Sequence, residues 1–355
     1  MDFSNYTFKK SVHRNQNVIL IGFQYSQKLK TDLKEKFPSV KWSATKKSWY
    51  LPDLPVVRKA LHLKPKNTVL QKVQTIHPIN QNAYIQLNEA LSLKNYSPST
   101  KRIYLAEFYH LLSLLDDYNV NDLNPKRLKD YFLYCLKIEK MGERKLNGKI
   151  NAIKFYFEQV LHRPKMFFDI PRPKKALKLP KMLSKSEVKK LFKVTTNLKH
   201  RIALMLCYGM GLRVSEVVNL KLTDIDSKRM VVHICGAKGK KDRYVPLPLS
   251  ILPDLREYYI AYKPKVFLFE GQYGGAYARS SMQQVFKKAM EKANIKKNIG
   301  IHGLRHSYAT HLLESGADMR FIQELLGHNS IKTTQVYTKV TPRSLSNIKS
   351  PLDNL

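Results

Sequence analysis

Two arginines, three histidines and a tyrosine are the residues of this chain whose types and spacing could do chemistry together. Arg213 sits in Gly211-Leu212-Arg213-Val214-Ser215-Glu216; His302, Arg305 and His306 share Ile301-His302-Gly303-Leu304-Arg305-His306; Leu326-Gly327-His328 and Tyr337 follow. The chemistry they suit is transesterification of a phosphodiester. An arginine offers a planar fork of donors and keeps its charge. Two of them on one phosphate can hold both non-bridging oxygens as charge builds in a pentacoordinate transition state, and Arg213 and Arg305 are the candidates. His302 precedes Arg305 by three positions, one face of a helical turn, and an imidazole near neutrality can take or give the proton of a hydroxyl nucleophile. His306 is expected to point elsewhere and to serve structurally, through a hydrogen bond that orients the site. His328, after Gly327 at a helix end, suits donation to a phosphate oxygen. A phenol ionises at about pH 10, so Tyr337 is a poor nucleophile until cations and a base surround it, and a good leaving group afterwards. Lys238, in the turn Gly236-Ala237-Lys238-Gly239-Lys240-Lys241-Asp242, is the natural acid for a departing 5′ oxygen. Asp224 and Asp226 read as loop residues, so no metal is expected; the two arginines supply the charge that Mg²⁺ would bring.

The elements that must hold these groups are marked by capping residues and periodicity. Ser184-Lys185-Ser186-Glu187 is a capping box ahead of Val188, Leu191 and Phe192, and Asp318 caps a helix with Ile322, Leu325 and Leu326 inward that Gly327 stops. Helical patterns through 201 to 220 lead to a hairpin, Met230 to Ile234 and Tyr244 to Leu247, and further helices are expected near 248 to 262, 279 to 293 and 304 to 314. Upstream, about 80 to 161 reads as four amphipathic helices, with Ser97-Pro98 and Asn124-Pro125 as starts and Leu128, Phe132, Cys135 and Leu136 among the inward residues. Their polar faces carry Lys101, Arg102, Lys126, Arg127, Arg144, Lys145 and Lys149, a grip for phosphates that reads no sequence by itself. Residues 16 to 64 look like a small α/β unit: an apolar strand at Val18 to Ile21, a helix from Gln27 to Phe37, a hairpin at Trp42 and Trp49, and a short helix capped by Asp53. The two tryptophans read as core or cross-strand residues.

Sixty-three Lys and Arg stand against 27 Asp and Glu, a formal charge of +36 spread along 355 residues. A polyanion is the natural partner, in preference to a merely soluble or ribosome-associated basic protein. Cys135, Cys207 and Cys235 are too widely spaced for a disulfide framework or a zinc site, which points to a reducing cytoplasm. The longest apolar runs fall short of the roughly 20 residues that span a bilayer, and no signal peptide is visible, so no membrane association is expected. The domain organisation expected is a 1–75 accessory unit, an 80–161 helical domain, a basic proline-rich linker at 162–182, a catalytic domain at 183–339 and a tail at 340–355.

The Arg213 motif, the Lys238-Gly239 turn, His302-Gly303-Leu304-Arg305-His306 and the run from Leu326-Gly327-His328 to Tyr337 together resemble the tyrosine recombinases, the phage integrase and Xer-like group. The resemblance covers about 180 to 340, and the helical segment looks like that family's SAM-like core-binding domain. It implies a mainly α, multidomain protein: a small N-terminal α/β unit, a four-helix core-binding domain and a mixed α+β catalytic domain. By the same resemblance Arg213 and Arg305 clamp the scissile phosphate, Lys238 is the general acid, His302 and His328 complete the pocket, Tyr337 forms a 3′-phosphotyrosyl intermediate, and Glu216 supports Arg213. Lys240, Lys241 and Arg243 join the DNA-contacting set. Implied partners are double-stranded DNA recombination sites, a homo-tetramer on two duplexes that exchanges C-terminal segments, and accessory DNA-bending proteins; no cofactor is implied. Ala237 stands where many relatives have glycine, which leaves Lys238 in register. The first 75 or so residues resemble in position the arm-site-binding domains of mobile-element integrases, which favours integration and excision over Xer-type dimer resolution. A catalytically inactive DNA-binding accessory protein and a swivelling topoisomerase are the competing readings.

Overall fold

In the computed structural model, residues 3–14, 16–63, 72–164, 180–235, 242–272 and 274–338 are described, and the chain divides into two compact units, Met1–Leu177 and Lys178–Leu355. The first begins with an antiparallel sheet in the order β1-β2-β4-β3, made of Thr7–His13 (β1), Gln16–Gly22 (β2), Lys41–Ser43 (β3) and Ser48–Pro52 (β4). The sheet therefore starts earlier than the apolar run at Val18 suggests, because β1 carries only scattered apolar side chains and pairs along one edge of β2. Helices Gln27–Lys36 (α1) and Pro55–Ala60 (α2) complete this part, with Ile19, Ile21, Leu33, Phe37, Leu51 and Val57 buried. Trp42 and Trp49 are register partners on β3 and β4, their rings edge to face at 5.4 Å. Asp53 does not cap α2: Leu54 holds that position, and Asp53 instead forms a buried ion pair with Arg58.

Four helices follow, Pro78–Leu93 (α3), Pro98–Leu115 (α4), Pro125–Lys137 (α5) and Glu143–Phe155 (α6). Ser97 accepts the Thr100 N–H at 3.2 Å and Asn124 that of Arg127 at 2.9 Å, so both starts are side-chain capped with proline in the first turn. Leu87, Phe108, Leu128, Phe132, Cys135, Ile150 and Ile153 share one core. Leu136 is exposed, one position past the buried stripe that ends at Cys135. Lys149 corrects the expectation of a continuous basic face. It is fully buried on α6, with Nζ 3.0 Å from Glu107 and donating to the Tyr131 hydroxyl at 3.0 Å. Breaking such a pair leaves the part-buried Glu107 carboxylate without its ammonium, at a cost of about 2 kcal/mol. Lys149→Met is accordingly expected to lower the melting temperature clearly, whereas Lys145→Met on the exposed face leaves it unchanged; equal melts for the two would remove this account.

The second unit builds its core from Lys185–Val194 (α7), Leu198–Gly209 (α8), Val214–Asn219 (α9), Leu252–Tyr262 (α10), Arg279–Lys292 (α11) and the first turn of His302–Glu314 (α12), around a three-stranded antiparallel sheet of Ile225–Asp226 (β5), Val231–Ile234 (β6) and Arg243–Pro246 (β7). The capping box is formed, with Ser184 Oγ accepting from Glu187 N at 3.2 Å and the Glu187 carboxylate accepting from Ser184 N at 2.7 Å. Asp318 caps Met319–Leu326 (α13), and Ile331–Gln335 (α14) leads to Tyr337. The linker prolines 171 and 173 and the whole 340–355 tail lie outside the described residues. No described helix is long and apolar enough to cross a membrane.

Candidate active site

The site is organised by the C-terminal end of α13. The last carbonyls of a helix have no partner within it and carry the negative end of its dipole. Three arginines take them: Arg243 Nε donates to Leu325 O at 2.9 Å, Arg305 Nη2 to Leu326 O, and Arg213 Nη2 to Gly327 O at 3.3 Å. Gly327 turns the chain in the left-handed region (φ 61°), and the N–H groups of Gly327 and His328 return to Glu324 O and Gln323 O, a Schellman closure that sets where His328 emerges. Arg305 is buried on α12, and its Nη1 donates to Gly211 O at 2.6 Å. Gly211 is itself left-handed (φ 59°), and a Cβ there would lie 2.4 Å from the Tyr308 ring, so this close approach needs glycine. Arg305 Nε is buried and finds no acceptor among the described residues.

Glu216 holds two of these arginines. Its Oε1 accepts from Arg213 Nη1 at 2.7 Å, and its Oε2 from Arg213 N at 2.9 Å and Arg243 Nη2 at 2.8 Å. Burial alone would raise this carboxyl, but the hydrogen bonds and charges of Arg243 and Arg213 reverse that and hold it at about 2. Burial and the charges of Arg213 and Arg243 pull Arg305 down to about 9, still charged near neutrality.

The imidazoles and the phenol gather beside this cluster. His306 Nδ1 lies 3.0 Å from Tyr337 Oη, His302 packs edge-on to His306 at 4.6 Å, and the His328 ring lies nearly parallel to that of Tyr337 at 6.4 Å, with its Nδ1 3.0 Å from Thr334 Oγ1. Tyr337 is buried with Ala309, Ile322 and Leu326. His306 therefore does not point away from the site but meets the phenol directly. Its position, one turn after His302 on α12, carried that signal: spacing of four shares a helix face as spacing of three does. Desolvation, then His302 and Arg305, bring His306 to about 4; desolvation, then Arg305 and Arg213, bring His328 to about 4. His302, at the exposed start of α12, is lowered by desolvation and by Arg305 and Arg213. Burial raises Tyr337, and Arg305 and Arg213 oppose that rise. The folded state thus holds neutral imidazoles and a protonated phenol next to fixed positive charge.

Those shifts fix the sign of a pH effect. Between about pH 6.5 and about pH 4 the unfolded chain binds protons on His306 and His328 that the folded chain does not. Stability therefore falls as pH drops through that window and rises with pH across it. Thermal melts at pH 7 and pH 5 should differ in that direction, and His306→Gln should flatten the dependence; a melt independent of pH across the window contradicts the neutral-imidazole description.

Other expected site residues fall differently. Arg243, expected in the DNA-contacting set, has a side chain 8% exposed and bonded to Glu216 and Leu325 O. Sequence inspection missed that role because nothing in Asp242-Arg243-Tyr244 signals it. Lys238, Lys240 and Lys241 lie outside the described residues. Arg102, Lys126, Arg127, Arg144 and Lys145 are exposed, and Lys101 is partly so, its Nζ bonded to Ser92 Oγ at 2.7 Å.

Residues 181–343 match the Phage integrase family, and residues 84–165 match the Phage integrase, N-terminal SAM-like domain. The putative integrase/recombinase y4qK of Sinorhizobium fredii is 37% identical over 275 residues, covering 76% of this chain and 88% of that protein. Tyrosine recombinase XerA of Pyrococcus horikoshii is 35% identical over 281 residues, covering 75% and 92%. Among solved structures, a lambda integrase (75-356) dimer bound to a COC' core site superposes with a TM-score of 0.62 at 15% identity, over 76% of this chain and 98% of that one. The Tn1549 transposon integrase in complex with circular intermediate DNA gives 0.59 at 18% identity, over 75% and 99%. These two speak to the fold. With more than a third of aligned residues shared with relatives that it spans nearly end to end, the chain belongs to the phage integrase family of tyrosine recombinases, enzymes of site-specific DNA breakage and rejoining.

Proposed function

We propose that this recombinase integrates and excises a mobile element, cutting double-stranded DNA at its recombination sites through a 3′-phosphotyrosine on Tyr337. The observation that carries the chemistry is the meeting of Tyr337 Oη with a neutral His306 beside Arg305, Arg213, His302 and His328. Arg213 and Arg305 hold the non-bridging oxygens, with the buried Nε of Arg305 one of the donors. His306, protonated on Nε2, accepts the phenol hydrogen at Nδ1 as Tyr337 Oη forms its bond to phosphorus. The 5′ oxygen leaves with a proton from Lys238, and a 5′ hydroxyl of the partner strand later reverses the step, so no bond energy is spent and no nucleotide cofactor is required. His302 and His328 donate to the phosphate, and Glu216 keeps Arg213 in place. The exposed residues Arg102, Lys126, Arg127, Arg144 and Lys145, with the part-exposed Lys101, grip the duplex. Four copies act on two duplexes and link through residues 340–355, with accessory DNA-bending proteins where the site demands them. The free cysteines and a DNA substrate fit a cytoplasmic enzyme.

The mobile-element reading rests on the sheet-bearing N-terminal segment, which lies outside both family-matched stretches. Xer-type dimer resolution is the second reading, favoured by the similarity to XerA. DNA flanking the gene, prepared with a nick beside the cleavage position, should give a protein–DNA adduct that survives SDS, and footprints should extend to distal sites that deletion of residues 1–75 removes. No adduct from a DNA-bound preparation sinks the chemistry, and absence of distal footprints in the full chain selects dimer resolution.

A further inference from the structure

Strand alternation gives the β6–β7 hairpin two chemically different faces. Val232, Ile234 and Val245 point into the core and are buried. The opposite face carries His233 and Tyr244, which are register partners, and then Cys235 and Asp242 at the next pair beyond Ile234 and Arg243. The His233 ring stacks on Tyr244 at 4.8 Å and 19° between planes, which fixes its plane. Cys235 Sγ lies 3.3 Å from His233 Nδ1 and 4.0 Å from His233 Nε2, Nε2 lies 3.3 Å from Asp242 Oδ2, and one atom from each of the three residues falls within 4.8 Å of the others. Asp224, just ahead of β5, adds a fourth group. Its Oδ2 accepts the Lys221 N–H at 2.8 Å, which leaves Oδ1 turned toward Cys235 Sγ at 3.9 Å.

We propose that His233, Cys235 and Asp242 form a surface site for a divalent transition ion of the zinc type, with Asp224 beside Cys235 or a water filling the fourth position. An imidazole gives an ion one nitrogen, here Nε2; a tetrahedral ion bound at about 2.0 Å to nitrogen or oxygen and about 2.3 Å to sulfur sets its ligands about 3.3 to 3.6 Å apart, a separation that Nε2 and Asp242 Oδ2 meet at 3.3 Å and that Cys235 Sγ reaches by closing in from 4.0 Å. Asp242 and Asp224 bring carboxylates to a chain of charge +36, Lys221 stands near Cys235 with the opposite sign, and the Cys235 thiol gives its proton to solvent as an ion binds; a soft sulfur with an imidazole selects zinc-like ions over magnesium or calcium. The site is open to solvent, so an ion has an entry path. A second cluster, His110, Cys135 and Glu139 in the helical segment, is a weaker candidate: the buried ammonium of Lys149 beside it already supplies the positive charge. Sequence spacing hides the hairpin site, because its ligands are adjacent only once β6 and β7 pair and Asp224 folds beside them. The ion would join the two strands at the residues that bracket 236–241, the stretch holding Lys238. It would thereby staple the hairpin that carries the proposed general acid. That consequence rests on the recombinase chemistry above; the binding itself does not.

The test is titration of the tag-free, metal-stripped full chain with Co²⁺ in the absence of DNA. One equivalent should produce a near-ultraviolet thiolate-to-cobalt band with visible bands of tetrahedral cobalt, and Zn²⁺ should displace it. Cys235→Ser should abolish the charge-transfer band, and Asp242→Asn and His233→Asn should each weaken binding by about tenfold or more with unchanged melting temperatures. Cys135→Ser should leave the band intact. A titration with no thiolate band, or a band that survives Cys235→Ser and disappears in Cys135→Ser, overturns the proposal, whatever the enzyme does to DNA.

Discussion

Tyr337→Phe should abolish the covalent protein–DNA adduct, a fall in strand cleavage of more than about a thousandfold, while binding to the same DNA stays within a few-fold of the unaltered protein. The geometry makes this a clean separation. Tyr337 is 3% exposed, its ring packs in the Ala309, Ile322 and Leu326 cluster, and its hydroxyl meets His306 Nδ1 at 3.0 Å. Phenylalanine keeps the ring contacts and loses the hydroxyl that meets His306, a hydrogen bond worth about 1 kcal/mol, so the fold should persist. The arginines and surface lysines proposed to hold phosphates are left alone by the change. His306→Ala is the informative companion: it keeps the nucleophile but removes the proton acceptor, and cleavage should fall by about a hundredfold without vanishing. Gel shift and SDS-resistant adduct on one nicked duplex measure both quantities. An adduct undiminished in Tyr337→Phe would mean that another residue attacks, and the arrangement around His306 would then need a different purpose.

The helical architecture was legible because its signals are local. Ser97-Pro98, Asn124-Pro125 and the Ser184 capping box each fix a helix start within a few residues, and all three form as read. The gathering of Arg213, Arg305 and Tyr337 followed from residue type and from the family resemblance. What the sequence did not disclose depends on distant partners. Lys149 looks like any lysine on a basic helix until Glu107 and Tyr131 arrive from α4 and α5 to bury it. Arg243 looks like a phosphate contact until the end of α13 offers it a carbonyl. The orientation of His306 is set locally: its spacing of four from His302, more than its adjacency to Arg305, decides the face it shares. β1 escaped notice because an edge strand needs few apolar residues.

Glu216→Gln tests whether the arginine cluster is held by charge or by shape. Glutamine preserves the volume and one acceptor, so packing of α9 is undisturbed, but it removes the carboxylate charge between Arg213 and Arg243 and leaves Arg305 beside two uncompensated guanidinium groups. Glu216 is 6% exposed at its side chain, so water cannot take over the screening. The expected loss is about 3 kcal/mol of stability, visible as a lowered denaturation midpoint, and cleavage should drop by about a hundredfold as Arg213 loses the contacts that aim it. Binding of DNA should not weaken, since the change makes the site more positive. Adding Arg243→Met to Glu216→Gln should recover part of the stability, because the repulsion that the first change exposes is then absent, and should recover none of the cleavage, because Arg213 is still unsupported. Two single effects that simply add would show that Arg243 and Glu216 act independently. A Glu216→Gln protein that melts and cleaves like the parent would show that the C-terminal carbonyls of α13 suffice to seat all three arginines.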